Sequence, residues 1–224
     1  MTHSIRTIAC LLASSAVFTG LAHADSGFYV SGGLNSTTLT QDVSRNTGSN
    51  LPNTGPADGP SATTTDQDTG ASVYVSAGYR LDVLENSYLE FEAFYADENA
   101  ETQNLNNVLV SEVELKNSYG LDLHLGQKVT DTFSVYGLVG VTQYEGDANQ
   151  SYTFAPPVTS VELEETAFVY GAGVELGLSK HISTFGEVRI SNDVEFDTPV
   201  DKGGIISQNN LDFTTIRTGL KFKF

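Results

Sequence analysis

The sequence is poor in cysteine, tryptophan, methionine and positive charge. Its single cysteine, Cys10, excludes an internal disulfide framework and any zinc site built from several thiolates. Eleven Lys and Arg stand against 28 Asp and Glu, a formal net charge of −17 over 224 residues, which argues against holding a nucleic-acid backbone by bulk electrostatics. Long apolar runs are also missing. The one uncharged apolar stretch, Ile8 to Leu21, falls short of the ~20 residues that a membrane-spanning helix needs. A hydrophobic content of 39% is too low for a bundle of membrane helices and too high for a wholly disordered chain. What the chain does have is glycine (21 residues), 10 Tyr and 12 Phe, a mixture that leans toward an all-β protein of one domain.

The first 24 residues read as a targeting segment. His3 and Arg6 give a weakly basic start, the apolar stretch follows, and Ala22-His23-Ala24 offers small residues at both positions that a signal peptidase reads. Cleavage is expected after Ala24, leaving residues 25–224 as the folded domain of an exported protein. A lipoprotein would need its cysteine at the end of the apolar stretch, whereas Cys10 sits near its beginning.

From residue 25 on, apolar and polar residues alternate in eight segments, as they do when successive side chains of a strand point to opposite faces. Phe28, Val30 and Leu34 oppose Tyr29, Ser31 and Gly33; Val73, Val75 and Ala77 oppose Tyr74, Ser76 and Gly78. Phe91, Ala93 and Tyr95 alternate with Glu90, Glu92 and Phe94. The longest segment sets Val113, Leu115, Tyr119, Leu121, Leu123 and Leu125 against Glu114, Lys116, Ser118, Gly120, Asp122 and His124. Segments around 133–144, 168–178, 187–191 and 216–224 repeat the pattern, with Leu138 as an exception. The connections alternate between long (36–70, 97–111, 146–164, 195–210) and short (82–87, 127–132, 179–183). That asymmetry predicts a closed, antiparallel, up-and-down barrel of eight strands, all-β, with short turns on the side of the termini and long loops on the other.

Alternation alone does not say which face is inside, since a soluble barrel buries the apolar face and a membrane barrel turns it to lipid. Glycine decides. Gly33, Gly78, Gly120, Gly126, Gly140, Gly171, Gly173, Gly177 and Gly219 all fall on the polar face among charges. A narrow interior needs small residues beside large ones, whereas a solvated strand surface gains nothing from glycine. The polar face is therefore expected inside.

The early Gly27-Phe-Tyr-Val-Ser-Gly-Gly33 strand, the eight-strand layout and the closing Lys221-Phe222-Lys223-Phe224 resemble the small outer-membrane barrels of Gram-negative bacteria, the opacity-type and OmpA/OmpX-like porin-family proteins. The resemblance implies a transmembrane β-barrel in the outer membrane. It also implies an aromatic terminus, Phe222 and Phe224, that resembles the signal read by the barrel-assembly machinery.

Candidate site residues follow from parity. Arg80, Glu90, Glu92, Lys116, Asp122, His124, Glu175, Glu187, Arg189, Arg217 and Lys221 are expected inside as a charge network whose first requirement is pairing. Glu90 and Glu92 resemble a glycosidase pair in composition, yet a filled interior leaves no cleft for a sugar. An acyl hydrolase needs Ser, His and an acid exposed to lipid; the chain after residue 24 has only His124 and His181 and no Gly-x-Ser-x-Gly. The protein is thus expected to be no enzyme, with no cofactor and no resident metal. Asp42, Asp58, Asp66, Asp68, Asp97, Glu98, Glu101, Glu145, Asp147, Glu162, Glu164, Glu165, Asp197 and Asp201 are assigned to the long loops, where clustered carboxylates read first as a solvated surface. Calcium or magnesium would bridge such carboxylates to lipopolysaccharide, although Asp66-Gln67-Asp68 lacks the rest of a calcium loop. The expected function is structural or interactive, adhesin-like, through acidic loops that meet lipopolysaccharide, a host surface or a matrix ligand, with no nucleic acid. A narrow channel or small-solute transporter is the alternative, and a lipid-modifying enzyme a distant third.

Overall fold

The computed structural model describes residues 26–46, 63–106, 109–152, 159–198 and 206–224. The expected targeting segment and its cleavage point lie outside them. Eight strands run in chain order: β1 Gly27–Asn46, β2 Thr63–Leu84, β3 Ser87–Asn106, β4 Leu109–Lys128, β5 Phe133–Tyr152, β6 Thr159–Gly177, β7 Ile182–Thr198 and β8 Ile206–Lys223. Each pairs antiparallel with its sequence neighbour, and β1 pairs with β8 to close the barrel.

The strands are longer than the alternation predicts, at 17 to 22 residues. At about 3.3 Å per residue, a 20-residue strand tilted by ~45° rises roughly 45 Å, against an apolar band of about 25 Å in barrels of this kind. Roughly a third to a half of each strand therefore stands beyond that band. The long connections assigned from sequence are corrected accordingly. Residues 36–44 and 63–69 belong to the β1–β2 ladder, which runs on to Ser44↔Thr63, and β3–β4 stays paired up to Asn106↔Leu109. Outside the apolar band water wets the outer face, and polar residues such as Thr37 and Gln41 also occur on the inner one, so the alternation that marks a strand fades there.

The apolar parity of the lower half lies outside. Phe28, Val75, Leu121, Leu125, Phe168 and Leu220 are exposed around the wall. Six inward aromatic rings each stand directly opposite a glycine in register: Tyr29↔Gly78, Tyr74↔Gly33, Tyr88↔Gly126, Phe94↔Gly120, Tyr136↔Gly173 and Phe185↔Gly219. The close approach is real: a Cβ on Gly126 would overlap the Tyr88 ring. Large rings lie over glycine backbone, and this lets eight strands close around so many bulky side chains.

Above the apolar band the inside changes character. The β2–β3 ladder ends at Val73↔Asp97 and the β6–β7 ladder at Val169↔Ser191, while the other ladders continue. The upper part therefore consists of two four-stranded sheets, β7-β8-β1-β2 and β3-β4-β5-β6. Between them lies an apolar cluster of Leu39, Leu211 and Phe213 against Ala100, Val113, Leu115, Tyr144, Ala148, Leu163 and Ala167. Tyr144 and Phe213 stack across this core at 4.2 Å. A membrane barrel with a polar interior thus continues into a sandwich with an apolar one.

Irregularities in the ladders make the transition. Register shifts occur between Asp97 and Ala100 in β3, Leu115 and Asn117 in β4, and Ser191 and Val194 in β7. A bulge adds one residue and flips every side chain beyond it to the other face. Val113 and Leu115, placed by sequence with the outward leucines, consequently point inward and are buried. Leu138 needs no irregularity: it is buried on the inward parity, beside Tyr136 and Val169.

Candidate functional site

The lumen is built in layers from the bottom upward. In the lowest, Glu90 and Glu175 share Arg80 and Lys221. Arg80 Nε donates to Glu90 Oε1 at 2.5 Å and its Nη2 to Glu175 Oε2 at 2.5 Å. Lys221 Nζ lies 2.9 Å from Glu90 Oε2 and 3.2 Å from Glu175 Oε2. Ser183 donates to the remaining oxygen of Glu175 at 2.8 Å. Both cations also rest on aromatic faces, Arg80 over Tyr88 at 3.9 Å and Lys221 over Tyr29 at 4.4 Å.

The next layer centres on Arg189 and Arg217. Arg189 grips both oxygens of Asp122 through its two terminal nitrogens, at 2.7 and 3.0 Å, and reaches Glu187 at 3.3 Å. Glu187 accepts from Tyr136 at 2.9 Å, and Arg217 Nη1 stands 3.5 Å from Glu187 and 3.8 Å from Glu92. Glu92 accepts from the Tyr29 hydroxyl at 2.9 Å, and His124 Nδ1 faces Glu90 Oε2 at 3.3 Å. The fork geometry of arginine suits two-point contact with a carboxylate, and buried charges left without such partners are costly.

Ten of the eleven residues assigned to the interior are buried there: Arg80, Glu90, Glu92, Asp122, His124, Glu175, Glu187, Arg189, Arg217 and Lys221. Lys116 is the correction. It is the extra residue of the β4 bulge, between Leu115 and Asn117, with a side chain 47% exposed and paired to Asp147. The shared hydrogen bond with Asp147 raises its pKa, with nearby carboxylates acting in the same direction.

Sequence reasoning missed Glu98. Assigned to a loop, it is buried above the arginine layer and accepts hydrogen bonds from Thr37, Ser72 and Ser118 at 3.3, 2.9 and 2.7 Å. Its even parity, continuing Glu90, Glu92 and Phe94, was the available signal. With it, six carboxylates (Glu90, Glu92, Glu98, Asp122, Glu175 and Glu187) face four cations (Arg80, Arg189, Arg217 and Lys221) in the described lumen. Lys223 also reaches Glu175, at 3.6 Å, and Asp82, at the lower rim, has Lys128 at 3.5 Å.

Outside the apolar band the surface is acidic. Asp68, Asp97, Glu101, Glu114, Glu162 and Glu164 are exposed on the upper strands, and among the described side chains there Lys116 is the one exposed cation. At the other end Phe222 and Phe224 lie on the outer wall, ring edge to ring face at 5.2 Å.

A family model described as an outer membrane protein beta-barrel domain matches residues 7–224. Among solved structures, the outer membrane protease OmpT of Escherichia coli aligns at 9% identity over 92% of this chain and 99% of its own, with a TM-score of 0.52. The outer membrane protein OprG of Pseudomonas aeruginosa aligns at 14% identity over 88% of this chain and 96% of its own, with a TM-score of 0.51. Ail, the attachment invasion locus protein of Yersinia pestis, aligns at 14% identity over 86% and 99%, with a TM-score of 0.41. No curated protein matches the chain. At such identities the OmpT and OprG likenesses speak for the fold alone.

Proposed function

The chain belongs to the outer membrane protein β-barrel family and resides in the Gram-negative outer membrane, and on that premise we propose that it is a non-catalytic surface barrel that acts by contact through its extracellular sandwich. One observation carries this reading: the apolar core of Leu39, Leu115, Leu163, Leu211 and Phe213 caps a lumen already filled by ion pairs. A solute path would need water along the axis, and there the side chains pack on one another. Contact is left to the outer face of the upper strands, where exposed carboxylates dominate.

Such a face meets a polycationic partner directly, or the anionic sugars of lipopolysaccharide through divalent cations that take carboxylate oxygens from both sides. The folded barrel is tested for binding to lipopolysaccharide vesicles with and without magnesium, and to host cells and matrix proteins. A variant carrying Glu101→Gln, Glu114→Gln, Glu162→Gln and Glu164→Gln serves as comparison. Binding that falls in the variant supports the reading; full binding by the variant removes the acidic face from it.

A further inference from the structure

We propose that Glu92, Asp122 and His124 form a binding site inside the barrel for a divalent transition-metal ion of the zinc class. One ligand atom from each, a carboxylate oxygen from Glu92 and from Asp122 and a ring nitrogen from His124, lie within 4.8 Å of one another. All three residues are buried, at 6%, 4% and 2% exposure.

The β3–β4 register makes the cluster. Glu92 stands directly opposite Asp122, and on the same face the neighbouring pair is Glu90 opposite His124. Like charges placed directly across a ladder repel, and burial strengthens the repulsion. Arg189 serves Asp122 with both terminal nitrogens. Among the described residues Glu92 has the Tyr29 hydroxyl at 2.9 Å and Arg217 Nη1 at 3.8 Å, a looser pairing than that of Asp122.

The imidazole adds the second, independent observation. Its Nδ1 faces Glu90 at 3.3 Å and its ring is stacked on Tyr136 at 5.2 Å and 7°, which fixes its plane. Nε2 is buried without a hydrogen-bond partner. In the tautomer that keeps its proton on Nδ1 toward Glu90, Nε2 offers its lone pair to a metal ion. A carboxylate behind one ring nitrogen and a metal before the other is the recurrent arrangement that orients ligating histidines and raises their basicity.

One nitrogen and two carboxylate oxygens suit zinc and its first-row neighbours better than calcium or magnesium, which favour all-oxygen shells. Bonds of about 2.0–2.2 Å place ligand atoms roughly 3.4 Å apart, a small contraction of the present cluster. Room for Asp122 is already made by Gly140, whose missing Cβ would overlap Oδ1. The three side chains are buried, so the ion is expected to enter while the barrel forms.

The test refolds the full untagged chain in detergent with zinc, passes it over a chelating resin, and counts bound metal, with folding scored by heat-modifiable migration. About one zinc per folded barrel is expected to remain in the wild type and in His181→Ala, whose residue is exposed at a turn. Retention is expected to fall at least tenfold in His124→Asn and in Glu92→Gln. A folded wild type that holds no zinc, or one whose zinc is unchanged in those two variants, overturns the proposal. If neither variant folds, X-ray absorption of the zinc-loaded wild type decides. A first shell with one imidazole nitrogen and carboxylate oxygens supports the site, and a shell without imidazole overturns it.

Discussion

Leu115 and Leu121 stand six residues apart on β4, an even spacing that would leave them on one face of a regular strand, yet Leu115 is 1% exposed inside the molecule and Leu121 62% exposed on its outer wall. The bulge between Leu115 and Asn117 separates them, and with them two solvents. Leu121 meets lipid; Leu115 belongs to the apolar core of the extracellular sandwich.

Opposite substitutions distinguish the two sites. Leu121→Arg should cost ~2–4 kcal/mol in a folding titration into lipid vesicles if it sits near the midplane. Leu115→Ala should cost ~2–5 kcal/mol through the cavity it leaves. Little loss from Leu121→Arg would contradict a lipid-facing wall.

The lowest charge layer makes a second prediction. Arg80→Met leaves Lys221 as the cation shared by Glu90 and Glu175, with Lys223 at 3.6 Å from Glu175 and His124 at 3.3 Å from Glu90. Removing one member of a buried ion cluster strands the others, and a loss of about 3–5 kcal/mol in urea unfolding is expected. Arg80→Met combined with Glu175→Gln should recover part of it in a double-mutant cycle.

A pH effect is expected outside the membrane, at Glu112. Burial, then a shared hydrogen bond with Glu101 and the charges of Glu101 and Glu114, raise its pKa. A carboxyl whose folded pKa is raised stabilises most below its unfolded value of about 4.3, and that contribution is lost as pH rises through the folded pKa. Glu112→Gln should therefore stabilise the sandwich at pH 7 by less than ~1 kcal/mol, since the site is largely solvated. The gain should shrink toward pH 4 in thermal unfolding scans. A gain that grows on acidification would contradict the assignment.

The aromatic end supports a fourth. Phe224 is exposed on the outer wall against Phe222. A chain ending at Lys223 should fold in detergent nearly as well as the wild type and reach the outer membrane in reduced amounts. Normal membrane levels measured in cell fractions would dismiss a role for this ring in assembly.

Legibility in the sequence follows the solvent. Where strands cross lipid, one face must be apolar and the other must pack a narrow lumen, so Val75, Leu121 and Leu220 against Arg80, Asp122 and Lys221 were plain in alternation. Beyond lipid, Thr37, Thr38, Asp66 and Gln67 suit either face, and the same stretch read as loop although Thr38↔Thr69 and Gln41↔Asp66 are ladder pairs. Bulges carry no composition of their own here, so Lys116 was placed inside and Leu115 outside. Parity could place Glu92, Asp122 and His124 on one interior; only the β3–β4 register brings them together.

The account's central claim is that the lumen is closed by its own side chains and that the protein works from its outer face. Planar-bilayer recordings of the folded barrel test this most directly. No stable ion-conducting steps are expected from the wild type. Regular, voltage-resolved conductance steps from the wild type, at protein amounts where a known porin gives single channels, would contradict the claim and return function to the lumen.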